Sequence, residues 1–333
     1  MYDQQDDRNC TKALTFEHSK TSISLMRVNP SLFYWLFLFF APIALLLVIP
    51  GVLWSKDMMD DFGFEKMGKP KPGEWLFHFH ENGQSFEDYK ASHPVRTTAS
   101  RRVLVFQPVG PFTPLEKSIM GKATEFAGIW FDLPTRTNPA LPLPESGWHR
   151  MRHFSWQNQP IKKYKTDYFL KRLLPERFPV DGICYLAITM ADLYPEDSWN
   201  FVFGQASLSK KVGVYSMTRY FPQFWGQRES PDAYCLALRR SCKVLVHEVG
   251  HIFGLAHCIY YRCAMSGSNS LEESDRRPLR LCPICLKKLE WNRGFDIIKR
   301  YERLKEFFKD QNLEQEATWI DLRLKRIKSN PLE

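Results

Sequence analysis

The chain has 333 residues, 44% of them hydrophobic and 25% charged, an ordinary globular composition with material for one large domain or two modest ones. A net charge of +9 is too moderate to make nucleic acid the expected partner, because a solvated basic surface is the commoner cause.

Residues 1–31 read as a polar N-terminal tail. From Leu32 to Trp54 the chain carries no charge, and its length suits a bilayer core, which needs about 20 residues in a helix. Tyr34, Trp35 and Trp54 stand near its ends, where interfacial aromatics belong, although Pro42 and Pro50 interrupt a straight span. The expectation is therefore a transmembrane helix over 32–54 that contacts lipid. That makes a single-pass membrane protein, with a buried apolar helix in a soluble cytosolic protein as the alternative. Lys12, Lys20 and Arg27 precede the segment and Lys56, Lys66, Lys69 and Lys71 follow it, so charge leaves its orientation open.

Residues 55–100 are mixed and punctuated by "GKPKPGE", and read as a linker or N-terminal extension. "RRVLVFQPVG" (101–110) predicts the first buried strand, Pro114–Ala127 a helix, and "GIWFDL" (128–133) a second strand. A proline-rich connection follows over Pro134–Gly147. Pro160–Leu174 is a basic helix candidate, with Tyr164, Tyr168 and Leu173 on one side. "ICYLAITM" (183–190) is a continuous apolar run suited to a central strand. "NFVFGQASL" and "KVGVYSMTRY" predict two strands joined near Ser209–Lys211, and Gly294–Lys309 a closing amphipathic helix. Strands alternating with helices indicate an α/β or α+β mixed twisted sheet over 101–310, followed by a C-terminal tail at 311–333.

Three of the nine histidines fall in "HEVGHIFGLAHC". The pattern from Leu236 to Leu255 is helical, so His247 and His251, four apart, project from one face and can reach a common ion. Glu248 stands beside the first ligand, where a carboxylate can take a proton from metal-bound water. Gly254 tolerates the left-handed turn that ends a helix and lets His257 return as a third ligand. Three nitrogens leave a fourth position open, the arrangement of a catalytic zinc. His78, His80, His149 and His153 have no matching spacing and read as surface or structural residues.

Of eight cysteines, Cys258, Cys263, Cys282 and Cys285 cluster behind this motif as C-x4-C and C-x2-C. Four thiolates at that spacing can close a tetrahedral, structural zinc site, which argues gently for a reducing, cytosolic compartment; two disulfides are the alternative. Met265 follows His257 by eight residues and can form a soft floor beneath the zinc or simply fill core.

HExxHxxGxxH followed by a methionine turn is the metzincin signature. With the cysteine after the third histidine, C-x4-C-x-M and the later CPIC, the chain resembles the archaemetzincins, archaelysin-family metallopeptidases. The resemblance is strongest from about 181 to 305. It implies zinc ligands His247, His251 and His257, base Glu248, and methionine turn Met265. It also implies a second zinc on Cys258, Cys263, Cys282 and Cys285, hence two zinc ions per chain. The implied activity is hydrolysis of peptide or protein substrates, as aminopeptidase or endopeptidase, with the edge strand Val212–Tyr220 pairing with extended substrate. The hydrophobic segment at 32–54 is not part of that family pattern. A membrane-tethered scaffold whose zinc sites are only structural is the competing reading, and an intact Glu248 counts against it.

Overall fold

The computed structural model describes residues 60–153, 160–228 and 233–329. Two short helices, α1 (Trp75–His78) and α2 (Phe86–Ala91), precede strand β1 (Val103–Val109), helix α3 (Pro114–Phe131) and strand β2 (Thr135–Thr137). Strands β3 (His149–Arg152) and β4 (Ile161–Lys165) lead into a π-helical turn at Tyr168–Leu173, then β5 (Gly182–Thr189) and β6 (Asp192–Tyr194). The hairpin of β7 (Gly204–Ser207) and β8 (Val212–Ser216) precedes the long helix α4 (Ala233–Ile252). Four helices complete the chain: α5 (Leu271–Arg276), α6 (Pro283–Arg293), α7 (Ile297–Asp310) and α8 (Glu314–Ser329).

The main sheet has the order β2-β1-β5-β8-β7, parallel throughout except for β7, which pairs antiparallel with β8 at the edge. Its inner strands are apolar at nearly every position because both faces are covered. On β5, Leu186 and Ile188 join the core formed with α3 and α4, while Tyr185 and Ala187 join a second core with Phe169, Leu170 and Leu173. The expected central strand is thus β5, and the expected first strand is β1.

A smaller sheet, β3-β4-β6, is fastened to the main one by a buried ionic cluster. Arg219, in the turn after β8, grips Asp192 of β6 at 2.8 and 2.9 Å, and Lys163 of β4 reaches the same carboxylate at 3.2 Å. Burial alone would raise the Asp192 carboxyl, but the two cations outweigh it and hold it below its ordinary value. Burial likewise depresses Lys163, to about 8, against the pull of Asp192.

Four expectations need correction. "GIWFDL" is the end of α3, not a strand. The helix starts at a Thr113–Glu116 capping box and runs until Asp132 turns left-handed. Phe126, Ala127, Trp130 and Phe131 are all buried, so its last turns are apolar nearly all round and mimic a strand run. The basic helix expected at 160–174 is β4 followed by the π-turn; Lys163 is fully buried against Asp192, which no solvated basic face would allow. Residues 311–333, expected as a tail, contain α8, whose Ala317, Ile320, Leu324 and Ile327 are buried at helical spacing in the core that α7 shares. The proline-rich connection contains β2, which pairs with β1.

The expected single-pass membrane protein is corrected as well. Among the described residues no helix is long and apolar enough to cross a membrane. The longest, α4, carries Arg239, Arg240, Lys243 and Glu248, charges that a lipid-facing span would not hold. The segment 32–54, with the lipid contact expected of it, lies outside the described residues.

Candidate metal centres and cleft

Helix α4 delivers two of the three histidines. His247 and His251 lie one turn apart, and their Nε2 atoms approach to 3.0 Å. Gly254 (φ +84°) ends the helix, with its N–H on the carbonyl of His251 at 2.8 Å and that of Leu255 on Gly250 at 3.0 Å. The reversal brings His257 back, so that ligand atoms of all three histidines lie within 4.8 Å of one another.

Each imidazole is oriented from behind through Nδ1. His247 meets the carbonyl of Ala264 at 2.9 Å, His251 that of Leu255 at 2.7 Å, and His257 the Glu81 carboxylate at 2.7 Å. These acceptors keep the proton on Nδ1 and leave each Nε2 with a lone pair. Burial holds His247 well below its ordinary pKa and His251 down at about 3, so both are neutral. Lone pairs converging at 3.0 Å suit a shared cation, and the donor set fits zinc.

Glu248, next to His247 on the helix, reaches the sheet edge that borders the same cleft. A Cβ added to Gly204 of β7 would lie 2.7 Å from Glu248 Oε1, so only glycine leaves room for the carboxylate there. Burial pushes the Glu248 carboxyl up to about 8, with Arg277 acting to lower it. A divalent cation at the histidines would lower it further. Met265 packs under the helix: a Cβ at Gly250 would meet its Sδ at 2.6 Å, between the two histidine positions.

Behind the histidines, Cys258, Cys263, Cys282 and Cys285 bring their sulfurs within 4.8 Å of one another, all buried. Cys258 and Cys282 sulfurs are 3.6 Å apart, too far for a disulfide, whose bond is about 2.05 Å, and the described cysteines are all free. Backbone N–H groups of Met265 and Cys282 point at Cys263 Sγ, and that of Cys285 at Cys282 Sγ. Hydrogen bonds from Cys263, Cys282 and Cys285 lower the Cys258 pKa, while burial first, then Cys258, raises that of Cys263. Four crowded thiols cannot all ionise alone, but a tetrahedral zinc would let them.

The histidines line a cleft of about 3630 Å³ bounded on one side by β7 and on the other by residues 72–84 and 268–277. The expected edge strand, Val212–Tyr220, is corrected here: β8 lies inside the sheet between β5 and β7, and β7 is the edge that borders the cleft. Sequence reasoning missed Glu81 and Trp75, taken as part of a linker. Trp75 Nε1 donates to Glu81 at 2.9 Å and its ring meets His257 edge-on at 5.1 Å. Glu81 is 176 residues from His257, so no local spacing announced it. Lys243 and Arg277 of the cleft wall were missed too. Only Lys243, four before His247 on the same helical face, carried a readable signal.

The sequence profile of peptidase family M54 matches residues 161–291. Archaemetzincin-2 of Macaca fascicularis is 37% identical over 268 residues, covering 72% of this chain and 73% of that protein. Human archaemetzincin-2 is 35% identical with the same coverage, and human archaemetzincin-1 is 31% identical over 259 residues, 69% of this chain and 51% of that protein. The crystal structure of archaemetzincin from Methanopyrus kandleri aligns with a TM-score of 0.46 at 27% identity, covering 60% of this chain and all of that one. With a relative this similar along nearly three quarters of both chains, and with the histidine triad and cysteine cluster assembled, this chain belongs to the archaemetzincin family of zinc metallopeptidases.

Proposed function

We propose that the chain hydrolyses peptide bonds with Glu248 as general base, using a catalytic zinc held by His247, His251 and His257. A second, structural zinc would sit on Cys258, Cys263, Cys282 and Cys285, fastening the loop that carries His257, with Met265 as the floor beneath the histidines. The observation that carries this reading is the convergence of ligand atoms from three histidines whose Nδ1 atoms each meet an acceptor. Zinc, when bound, supplies Lewis acidity toward the scissile carbonyl and the attacking water.

The chain's own residues do the rest. Glu248, fixed against Gly204, takes the proton from the water and passes it to the leaving nitrogen. Burial raises the proton affinity of that carboxylate, and a divalent cation at the histidines would offset part of the rise. The outer edge of β7 offers backbone groups to an extended peptide, as free sheet edges can. The unit carrying this chemistry extends beyond residues 101–310, since residues 60–100 supply Glu81 and Trp75. A purely scaffolding role is not favoured: it has no use for a buried carboxylate held beside three histidines.

Elemental analysis tests the metal assignment. About two zinc ions per chain are expected, and His251→Ala should lose one of them together with activity. One zinc in the parent, or no loss in His251→Ala, would overturn the two-site assignment.

A further inference from the structure

Two buried cations, Lys243 and Arg277, line the cleft that also holds Glu248. Lys243 stands one turn before His247 on α4, is 1% exposed, and donates to the carbonyl of Ser274 at 2.6 Å. Arg277, just after α5, is 8% exposed and donates through Nη2 to Ser268 Oγ, while its Nε has no hydrogen-bond partner. Neither forms an ion pair among the described residues. Their neighbours do: Arg239 is matched by Glu316 and Arg240 by Asp275.

The remaining acid close by is engaged elsewhere. Glu273 accepts the backbone N–H groups of Trp75 and Asn269 at 2.7 to 3.1 Å. The Tyr220 hydroxyl, in the field of both Glu248 and Arg277, is buried and lacks a partner as well. Glu273 and Asp275 act on Arg277 through space, but neither is in direct ion-pair contact with it among the described residues, and a guanidinium is shaped to receive a carboxylate on two N–H groups. Lys243, Arg277, His247 and Glu248 all line the one cleft, so a substrate lying across the histidines shares that cleft with the two cations.

We propose that Arg277 and Lys243 form a carboxylate-binding subsite beside the scissile bond, so that the preferred substrates are acidic there. This rests on the peptidase reading above. The carboxylate comes from an Asp or Glu side chain flanking the cleaved bond or from the substrate's own C-terminus.

Two measurements on the zinc-loaded full chain test it. The first compares cleavage of quenched peptides that differ only by Glu or Gln at the flanking positions, each made as free acid and as amide. The charged member should be cleaved at least about ten-fold faster in kcat/KM, and Arg277→Gln should bring that ratio to about one, while Arg277→Lys keeps part of it. A preference confined to Glu over Gln identifies the side chain; one confined to free acid over amide identifies the C-terminus.

The second needs no turnover. N-acetyl-glutamate α-amide, N-acetyl-alanine and neutral N-acetyl-alaninamide are titrated by calorimetry into the parent, Arg277→Gln and Lys243→Met. Selective binding of at least one charged probe, lost or weakened in either variant, supports the subsite. Equal binding of charged and neutral probes to the parent, or selectivity unchanged in the variants, overturns it and leaves the cations as tethers of residues 268–274. Should Arg277→Gln fail to fold, Lys243→Met and the parent titrations still decide. No cleavage of any peptide alongside selective binding would sink the peptidase reading and keep the subsite; cleavage indifferent to charge would do the reverse.

Discussion

Gly204 of β7 and Glu248 of α4 are in direct apposition, so close that a methyl group at 204 would lie 2.7 Å from the Glu248 carboxylate oxygen. The sheet edge thereby sets where the carboxylate stands relative to the histidines. Gly204→Ala should push Glu248 aside at little cost in stability, because the obstructed atoms end a flexible side chain. A displacement of about 1 Å at a general base lowers kcat by on the order of 100-fold. Steady-state kinetics with zinc analysis checks this; a Gly204→Ala enzyme with parental kcat would show that the apposition has no catalytic consequence.

Among the described residues, Glu81 is the charged partner of His257. Burial works against its carboxylate, but the hydrogen bonds from His257 and Trp75 help to outweigh it and hold its pKa below the ordinary value. Removing a carboxylate behind a metal-binding histidine weakens affinity by about 10–100-fold. In Glu81→Gln, competition with a chelator should therefore release one zinc more readily while the cysteine-held zinc stays put. Unchanged release of both would mean that Glu81 does not orient His257.

How far the site was legible follows from sequence distance. The histidines and cysteines announce themselves because a helical turn and two short loops bring them together locally. Glu81, Gly204 and Arg277 act on the same centre across long stretches of chain, and only the folded sheet and cleft join them. Strand β5 was readable since both its faces are buried. The end of α3 was misread for the same reason, burial all round erasing its helical period. Helix α8 has helical apolar spacing, but it stands past the closing amphipathic helix, where a tail is expected.

The buried Asp192 cluster gives a stability prediction with a definite pH sign. Asp192 has its folded pKa below the unfolded 3.8, so its contribution is fully present above pH 3.8 and is lost as pH falls through the folded value. Lys163 is the reverse of the usual lysine: it drops from 10.5 to about 8, so stability rises with pH between those values. Asp192→Asn removes the carboxylate that Lys163 and Arg219 share and should cost about 3–5 kcal/mol at pH 7. Urea denaturation gives the value, and a loss below about 1 kcal/mol would mean the cations find another partner.

Glu290 on α6 offers a gain instead. Burial raises its pKa from 4.5 to about 7, so its contribution is complete below pH 4.5 and lost as pH rises through 7. Glu290→Gln escapes that loss, and should exceed the parent by about 1 kcal/mol at pH 8 but not at pH 5. Paired thermal melts at the two pH values settle it. An advantage equal at both would point to packing rather than charge.

The central claim is that Glu248 performs proton transfer and does not hold the metal. It is met most directly by measuring zinc content and turnover of Glu248→Gln beside the parent, on one peptide that the parent cleaves. The account predicts unchanged zinc content with turnover reduced by roughly 10²–10⁴-fold. Near-parental turnover, or loss of zinc along with activity, would contradict it.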